Sequence, residues 1–152
     1  MMNAVDILDR CRDAAAEIGR LTERRERLME CATSVTSHIG RSGGRGGSVS
    51  DKVASFAADL DECERQLSAR KNEYDAELLA ACRIVDTLGE PECGIMYRYY
   101  VQGQTVSGIA QALNYSVSYV KQKKRGALAA VRKMPEATIL GNLPEWYREK
   151  WK

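Results

Sequence analysis

Phenylalanine occurs once in this chain, proline three times and histidine once, and each scarcity removes a class of protein. A single phenylalanine and only three prolines argue against a sheet-based core. With one histidine, no pair of carboxylates in a common pocket pattern and no nucleophile beside a base, there is nothing to assign as catalytic, so the chain is read as no enzyme. Cys11, Cys31, Cys63, Cys82 and Cys93 form no CxxC pair and have no histidine at metal-ligand spacing; neither a zinc site nor any other cofactor is expected. Their odd number and apolar helical settings read as reduced thiols in a cytosolic protein. No run of 18 apolar residues occurs and acids appear within the first ten positions, so neither a membrane span nor a secretory leader is expected. A soluble, cytoplasmic protein is expected.

The most informative absence is local. The whole chain carries a formal charge of only +2, yet positions 93–135 contain no acid at all. That stretch holds Arg98, Lys121, Lys123, Lys124, Arg125, Arg132 and Lys133, a concentration of one sign that suits a phosphate-facing surface.

At 152 residues, 44% of them apolar and 29% charged, the chain has room for one compact domain or a small domain with an elongated appendage. Ile7, Cys11, Ala14, Ile18, Leu21, Arg25, Leu28, Ala32 and Val35 recur at alternating spacings of four and three, which is a helical seam. Val53, Phe56, Leu60, Cys63, Leu67, Arg70, Tyr74, Glu77, Ala81, Ile84 and Leu88 repeat it in a second helix, with Ser48 or Ser50 as its expected cap. Between them, 40–48 is rich in glycine and is read as a mobile, dispensable connector. It lacks GxxxxGK[ST] and cannot cradle phosphate. His38 beside it is given no role. The two seams can bury each other as an antiparallel, coiled-coil-like hairpin over 1–88, or across two chains in a homodimer.

Gly89 and Pro91 punctuate the chain as an expected helix C′ residue and an expected first helical residue. A helix containing Ile95, Met96, Tyr99 and Tyr100 should stop at Gly103, with the two tyrosines in the core and at its rim. Next comes Thr-Val-Ser-Gly-Ile-Ala-Gln-Ala-Leu over 105–113, with Thr105 as cap and Val106, Ile109, Ala110 and Leu113 on one apolar face. Ala110 is small enough for a close helix crossing, and Asn114 tolerates the left-handed backbone that a tight turn demands. Ser116 then caps a helix over 117–134 whose Val120, Ala127, Leu128 and Val131 face inward. Its other face carries Val117, Ser118, Lys121, Gln122 and Arg125, the side a recognition helix turns to the major groove. Val117, Ser118, Lys121 and Gln122 are the candidate base readers. Ser116, Lys123, Lys124, Arg125, Arg132 and Lys133 are the candidate phosphate contacts, which give affinity without sequence information.

The run Met96-Tyr-Arg-Tyr-Tyr-Val-Gln-Gly, the segment 105–113, then Tyr115-Ser-Val-Ser-Tyr-Val-Lys-Gln and Ala127-Leu resemble region 4 of sigma-70-type factors, most tightly over 98–133. With the hairpin in front, the chain resembles phage-encoded activators of the RinA and ArpU type. That resemblance implies a helix-turn-helix over 90–134 that binds double-stranded DNA, RNA polymerase as a second partner, and a role in switching on late genes. Lys121 and Gln122 keep the sigma pattern, but Val117, Ser118 and Tyr119 stand where charged residues are usual, so a sigma promoter element should not be read. Nothing before Gly89 has the aromatic and basic character that holds a melted strand in sigma region 2.

The expected architecture is therefore all-α: a long N-terminal helical hairpin, a helix-turn-helix and an aromatic tail over 135–152. Leu143, Trp146, Tyr147 and Trp151 in that tail read as a short helix docked on the bundle, with a contact for polymerase or a second protomer as the sharper alternative. Two other functions compete. A phage small terminase subunit also joins a helix-turn-helix to a helical hairpin, but in the opposite order, and a helical scaffold leaves the acid-free stretch unexplained.

Overall fold

The structure, a computed structural model, describes residues 3–39, 46–141 and 143–150, with side chains outside 35–50. It is 85% helical, and no strand occurs among the described residues. Two long helices, α1 (Ala4–Ile39) and α2 (Gly46–Asp86), are followed by α3 (Glu92–Met96), a π-helical turn (Tyr97–Val101), α4 (Val106–Leu113), α5 (Val117–Arg132), α6 (Glu136–Leu140) and α7 (Glu145–Glu149). Among these residues no helix is long and apolar enough to cross a membrane.

The seams read from the sequence are the buried sides of both long helices. Ile7, Cys11 and Ala14 are fully buried, while Ile18, Leu21, Arg25, Leu28 and Ala32 are half-buried. Glu17 meets Arg70 at 2.9 Å and Arg25 meets Glu64 at 3.1 Å, so the partner number falls as α1 advances. These pairs set low positions of α1 against high positions of α2, an antiparallel arrangement. Of the glycine-rich stretch, 40–45 lies outside the described residues, as does the side chain of His38. Its last three residues are not loop: α2 begins at Gly46, ahead of the serines expected to cap it. The first four N–H groups of a helix need no partner in the preceding turn, so glycine and serine are tolerated there better than in an interior.

Two compact units divide the chain: Glu17–Lys71, and the residues before and after it. The division falls inside α1 and α2 rather than at Gly89. In the unit 17–71, Cys63 and Leu67 are buried, and the Cys63 thiol donates to the Leu21 carbonyl at 3.4 Å.

In the other unit, Ala4, Ile7, Leu8 and Cys11 of α1 and Ala76, Ala80, Ala81, Ile84 and Val85 of α2 share a core with Met96, Tyr100, Ala127, Val131, Ile139, Leu143 and Tyr147. A second, smaller core joins Ile95, Ile109, Ala110 and Val120. Adjacent residues of α3 feed both cores, Ile95 one and Met96 the other, and α5 spans both through Val120 and then Ala127 and Val131. Each large aliphatic side chain fully buried in this way contributes about 1.5–3 kcal/mol.

The tail docks on the bundle through Ile139, Leu143 and Tyr147, a four-residue spacing that keeps one side inward. The Tyr147 hydroxyl donates to Glu77 Oε1 at 2.7 Å, and Arg10 Nη1 lies 4.0 Å from the same oxygen. Glu77 is fully buried, a cost that a buried carboxylate offsets only with such donors. Burial and the Glu77 carboxylate push the Tyr147 phenol well above its ordinary range, with Arg10 acting the other way. Trp146 remains 48% exposed, and Trp151 lies outside the described residues.

Two expectations at the hairpin's exit are corrected. α2 ends at Asp86 in a tight turn, with Thr87 and Leu88 N–H donating to the Ile84 and Val85 carbonyls, and Gly89 does not take a left-handed φ. These three-back bonds give the Ile84 and Val85 carbonyls partners without a left-handed C′ residue. Among the described residues Gly103, with φ +70°, is the glycine that does. Pro91 is the N-cap residue of α3 rather than its first residue.

Candidate nucleic-acid interface

Thr105 caps α4 with its hydroxyl oxygen, which accepts from the Gly108 N–H at 3.0 Å. Ser116 caps α5 in the same way, accepting from Tyr119 N–H at 3.0 Å. Each such cap contributes about 0.5–2 kcal/mol. Between them Asn114 stands at φ 57°, ψ 39°, and its N–H donates to Ala110 O. A left-handed residue turns the chain sharply at the end of α4, and asparagine bears that conformation at lower cost than most residues. Ile109, Ala110 and Val120 are buried at the crossing, so α4 and α5 form a capped, tightly packed helix-turn-helix.

The entry to α4 is held from α1. In the π-helical turn Gln102 N–H reaches back to Tyr97 O, and Gln104 N–H reaches Arg98 O. A widened turn leaves carbonyls without the usual partner four residues on. The Arg12 guanidinium supplies the donors, bonding the Tyr99 and Gln104 carbonyls, and its central carbon lies 3.9 Å from the Tyr99 ring centroid. The helix expected to run to Gly103 therefore changes form at Tyr97. Tyr100 is 2% exposed, its phenol pushed up to about 12 chiefly by burial and then by the Asp9 charge; Tyr99 is half-buried at the rim.

α5 divides sharply. Val120, Ala127 and Val131 are buried, Leu128 is partly buried, and Val117, Ser118, Lys121, Gln122, Arg125 and Arg132 are exposed, as are Ser116 and Lys133 at its ends. The candidate base readers are thus brought together on the first two turns of the helix. Ser116 uses an oxygen lone pair in its cap and keeps its hydroxyl hydrogen to donate.

Lys123 and Lys124 stand apart from the other candidate phosphate contacts. Lys123 Nζ is 3.7 Å from Glu92 Oε1 and 5.4 Å from the Tyr119 ring centroid. Lys124 Nζ lies 3.8 Å from the centroid of Tyr99. It also opposes the rise that desolvation, Asp13 and Asp6 impose on the Asp9 carboxyl. Both side chains are half-buried, because their positions turn toward α3 and α1 rather than outward.

Sequence reasoning missed three features here. Tyr115 and Tyr119 pack with ring centroids 4.7 Å apart, and Lys123 continues that line; the four-residue spacing of all three was the available signal. The Glu92–Lys123 pair and the Arg12 clamp had no local signal, since Arg12 reaches across 87 and 92 positions. Among the described residues no group of three or more histidine, cysteine or acidic side chains is placed to hold a metal ion.

Comparison with known families agrees with this geometry: residues 84–133 match the family model described as sigma-70, region 4, a helix-turn-helix DNA-binding region. No match is found among curated proteins or solved structures.

Proposed function

We propose that this chain is a sequence-specific transcriptional regulator that binds duplex DNA with α5 in the major groove. The observation that carries the reading is the division of α5: one side is built into two cores, while the other presents Val117, Ser118, Lys121, Gln122, Arg125 and Arg132 to solvent. No acid interrupts the stretch that contains it. A recognition helix docks by its N-terminal turns. In that pose the Gln122 amide donates to adenine N7 and accepts from adenine N6, Lys121 donates to guanine O6 or N7, and Val117 packs on a thymine methyl. Ser118 accepts either partner type and specifies least. Arg125, Arg132, Lys133 and the Ser116 hydroxyl face phosphates, while Lys123 and Lys124 act through the local field and the packing of α5. The finer reading is a late-gene activator of a phage or prophage working beside RNA polymerase, supported by the resemblance to RinA- and ArpU-type activators.

Selection of preferred sites from a random duplex pool with wild type and Gln122→Ala tests the proposal. The substitution is expected to cost about 1–3 kcal/mol on the selected site and to relax preference at one base pair, with non-specific binding unchanged. Identical selected sites at equal affinity would remove Gln122 from the reading surface. The salt dependence of affinity separates the cations. Neutralising Arg125 and Arg132 should flatten the slope of log K against log salt by roughly 0.9 for each phosphate that is no longer neutralised, and neutralising Lys123 and Lys124 should flatten it less.

A further inference from the structure

Glycine is the poorest helix former after proline, yet Gly126 stands in the interior of the 16-residue α5. Its φ is not left-handed, so the backbone does not require glycine. A Cβ added there meets no heavy atom within 4 Å, so no neighbour in the protein requires it either.

The surroundings of Gly126 are specific. Ser118, Gln122, Gly126, Ala129 and Lys133 follow one another at spacings of four, four, three and four, which keeps them in one line along a helix, and all five are exposed. Lys121, Arg125 and Arg132 form an adjoining exposed line. Gly126 is therefore the position of least bulk on the face that carries the candidate base readers at one end and cations along its length and at its other end.

We infer that Gly126 is the point of closest approach between α5 and the sugar-phosphate wall of the major groove, where the helix backbone itself meets DNA. The inference rests on the DNA-binding reading above and adds a contact that the reading does not include. A side chain at 126 is excluded by the nucleic acid rather than by the protein. Arg125 and Lys133, on either side of it, then reach phosphates of the same wall.

Gly19 supplies the matched control: it is also an exposed interior helix glycine whose added Cβ would meet nothing within 4 Å. Exposed Arg20, Arg24 and Arg27 adjoin it, but Glu23 and Glu26 are interleaved with them and Arg27 pairs with Glu23 at 3.2 Å, whereas no acid interrupts the surroundings of Gly126. Full-length wild type, Gly126→Ala, Gly126→Leu and Gly19→Ala are compared by thermal unfolding and by affinity for a random-sequence duplex and for the selected site. Alanine and leucine are better helix formers than glycine, so none of the variants should melt below wild type. Gly126→Ala is expected to weaken DNA binding about tenfold and Gly126→Leu about a hundredfold or more, as a methyl and then a branched chain are forced into an occupied gap. Gly19→Ala should bind as wild type does.

Wild-type affinity in both Gly126 variants overturns the inference alone. An equal loss in Gly19→Ala also overturns it, because the effect then belongs to helix stiffening and not to contact. Failure of wild type to bind any duplex overturns the functional reading and this inference together.

Discussion

The segment Glu17–Lys71 and the unit formed by the rest of the chain carry the same four-and-three apolar pattern in their long helices, yet they bury it to different depths. In 17–71 the seam is mostly half-buried. Cys63 and Leu67 are its buried members, and its Arg25 and Arg70 positions form exposed or partly exposed pairs with Glu64 and Glu17. In the other unit the same pattern continues through Ile7, Cys11 and Ala14 on α1 and Ala81 and Ile84 on α2, all at 1% exposure or less. The difference lies in a third layer. Two helices packed only on each other leave the edges of their stripes wet, whereas Met96, Tyr100, Ala127, Val131, Ile139, Leu143 and Tyr147 cover those edges in the second case. Periodicity thus reports the direction of burial, and layering sets its depth.

The sharpest way to break this comparison is an unpaired charge. Val120→Asp or Val131→Asp, at positions 0% and 1% exposed, should cost on the order of 3–5 kcal/mol, unfold the C-terminal unit and abolish DNA binding. Leu21→Asp, on the half-buried seam, should cost about 1 kcal/mol and leave DNA binding in place. Urea unfolding with DNA titration checks both, and equal costs would sink the idea that depth separates the two regions.

Alkaline pH supplies the next contrast. Burial raises the Tyr100 phenol and the Cys11 thiol to about 12 and lifts Tyr147 further, so the folded state favours their neutral forms. That contribution is fully present below the ordinary values of 9.0 for the thiol and 10.0 for the phenols and is lost as pH rises through about 12. Residues 17–71 contain no tyrosine. Melting followed by near-ultraviolet circular dichroism should therefore show the C-terminal unit losing stability above about pH 9–10, and Tyr147→Phe should reduce that slope. A melting temperature that does not change from about pH 8 to about pH 11 would contradict the assignment.

At neutral pH, Tyr147→Phe removes the donor to buried Glu77 and should destabilise by about 1.5–3 kcal/mol, read as a lower melting temperature with unchanged helicity. The smallest effect belongs to the other region. Arg25→Ala, which removes a pair with side chains 39% and 48% exposed, should cost at most about 1 kcal/mol, and less at high salt. A larger loss there would mean that surface pairs, not the seam, hold 17–71 together.

Much of the helix-turn-helix was legible in the chain because its determinants are local. Thr105 and Ser116 cap helices three residues before the amides they bind, Asn114 takes the left-handed turn by its own backbone tolerance, and Val120, Ala127 and Val131 fall inward by helical spacing alone. The start of α2 was misplaced for the opposite reason: glycine's aversion to helices fades in a first turn whose amides need no partner, so Gly46 can open one.

The sequence by itself determined the helices, their inward faces, the caps and the concentration of positive charge around α5, since each depends on residues within about two turns of one another. Only tertiary structure decided which cations remain exposed. Lys121 and Lys124 are three residues apart and chemically identical, but one faces solvent and the other lies against Tyr99. The same holds for Arg12 on the Tyr99 and Gln104 carbonyls and for Tyr147 on Glu77, contacts that join positions 70 to 92 residues apart. Such pairings arise when distant elements pack and their polar groups, once removed from water, must find partners among whatever the packing has brought near.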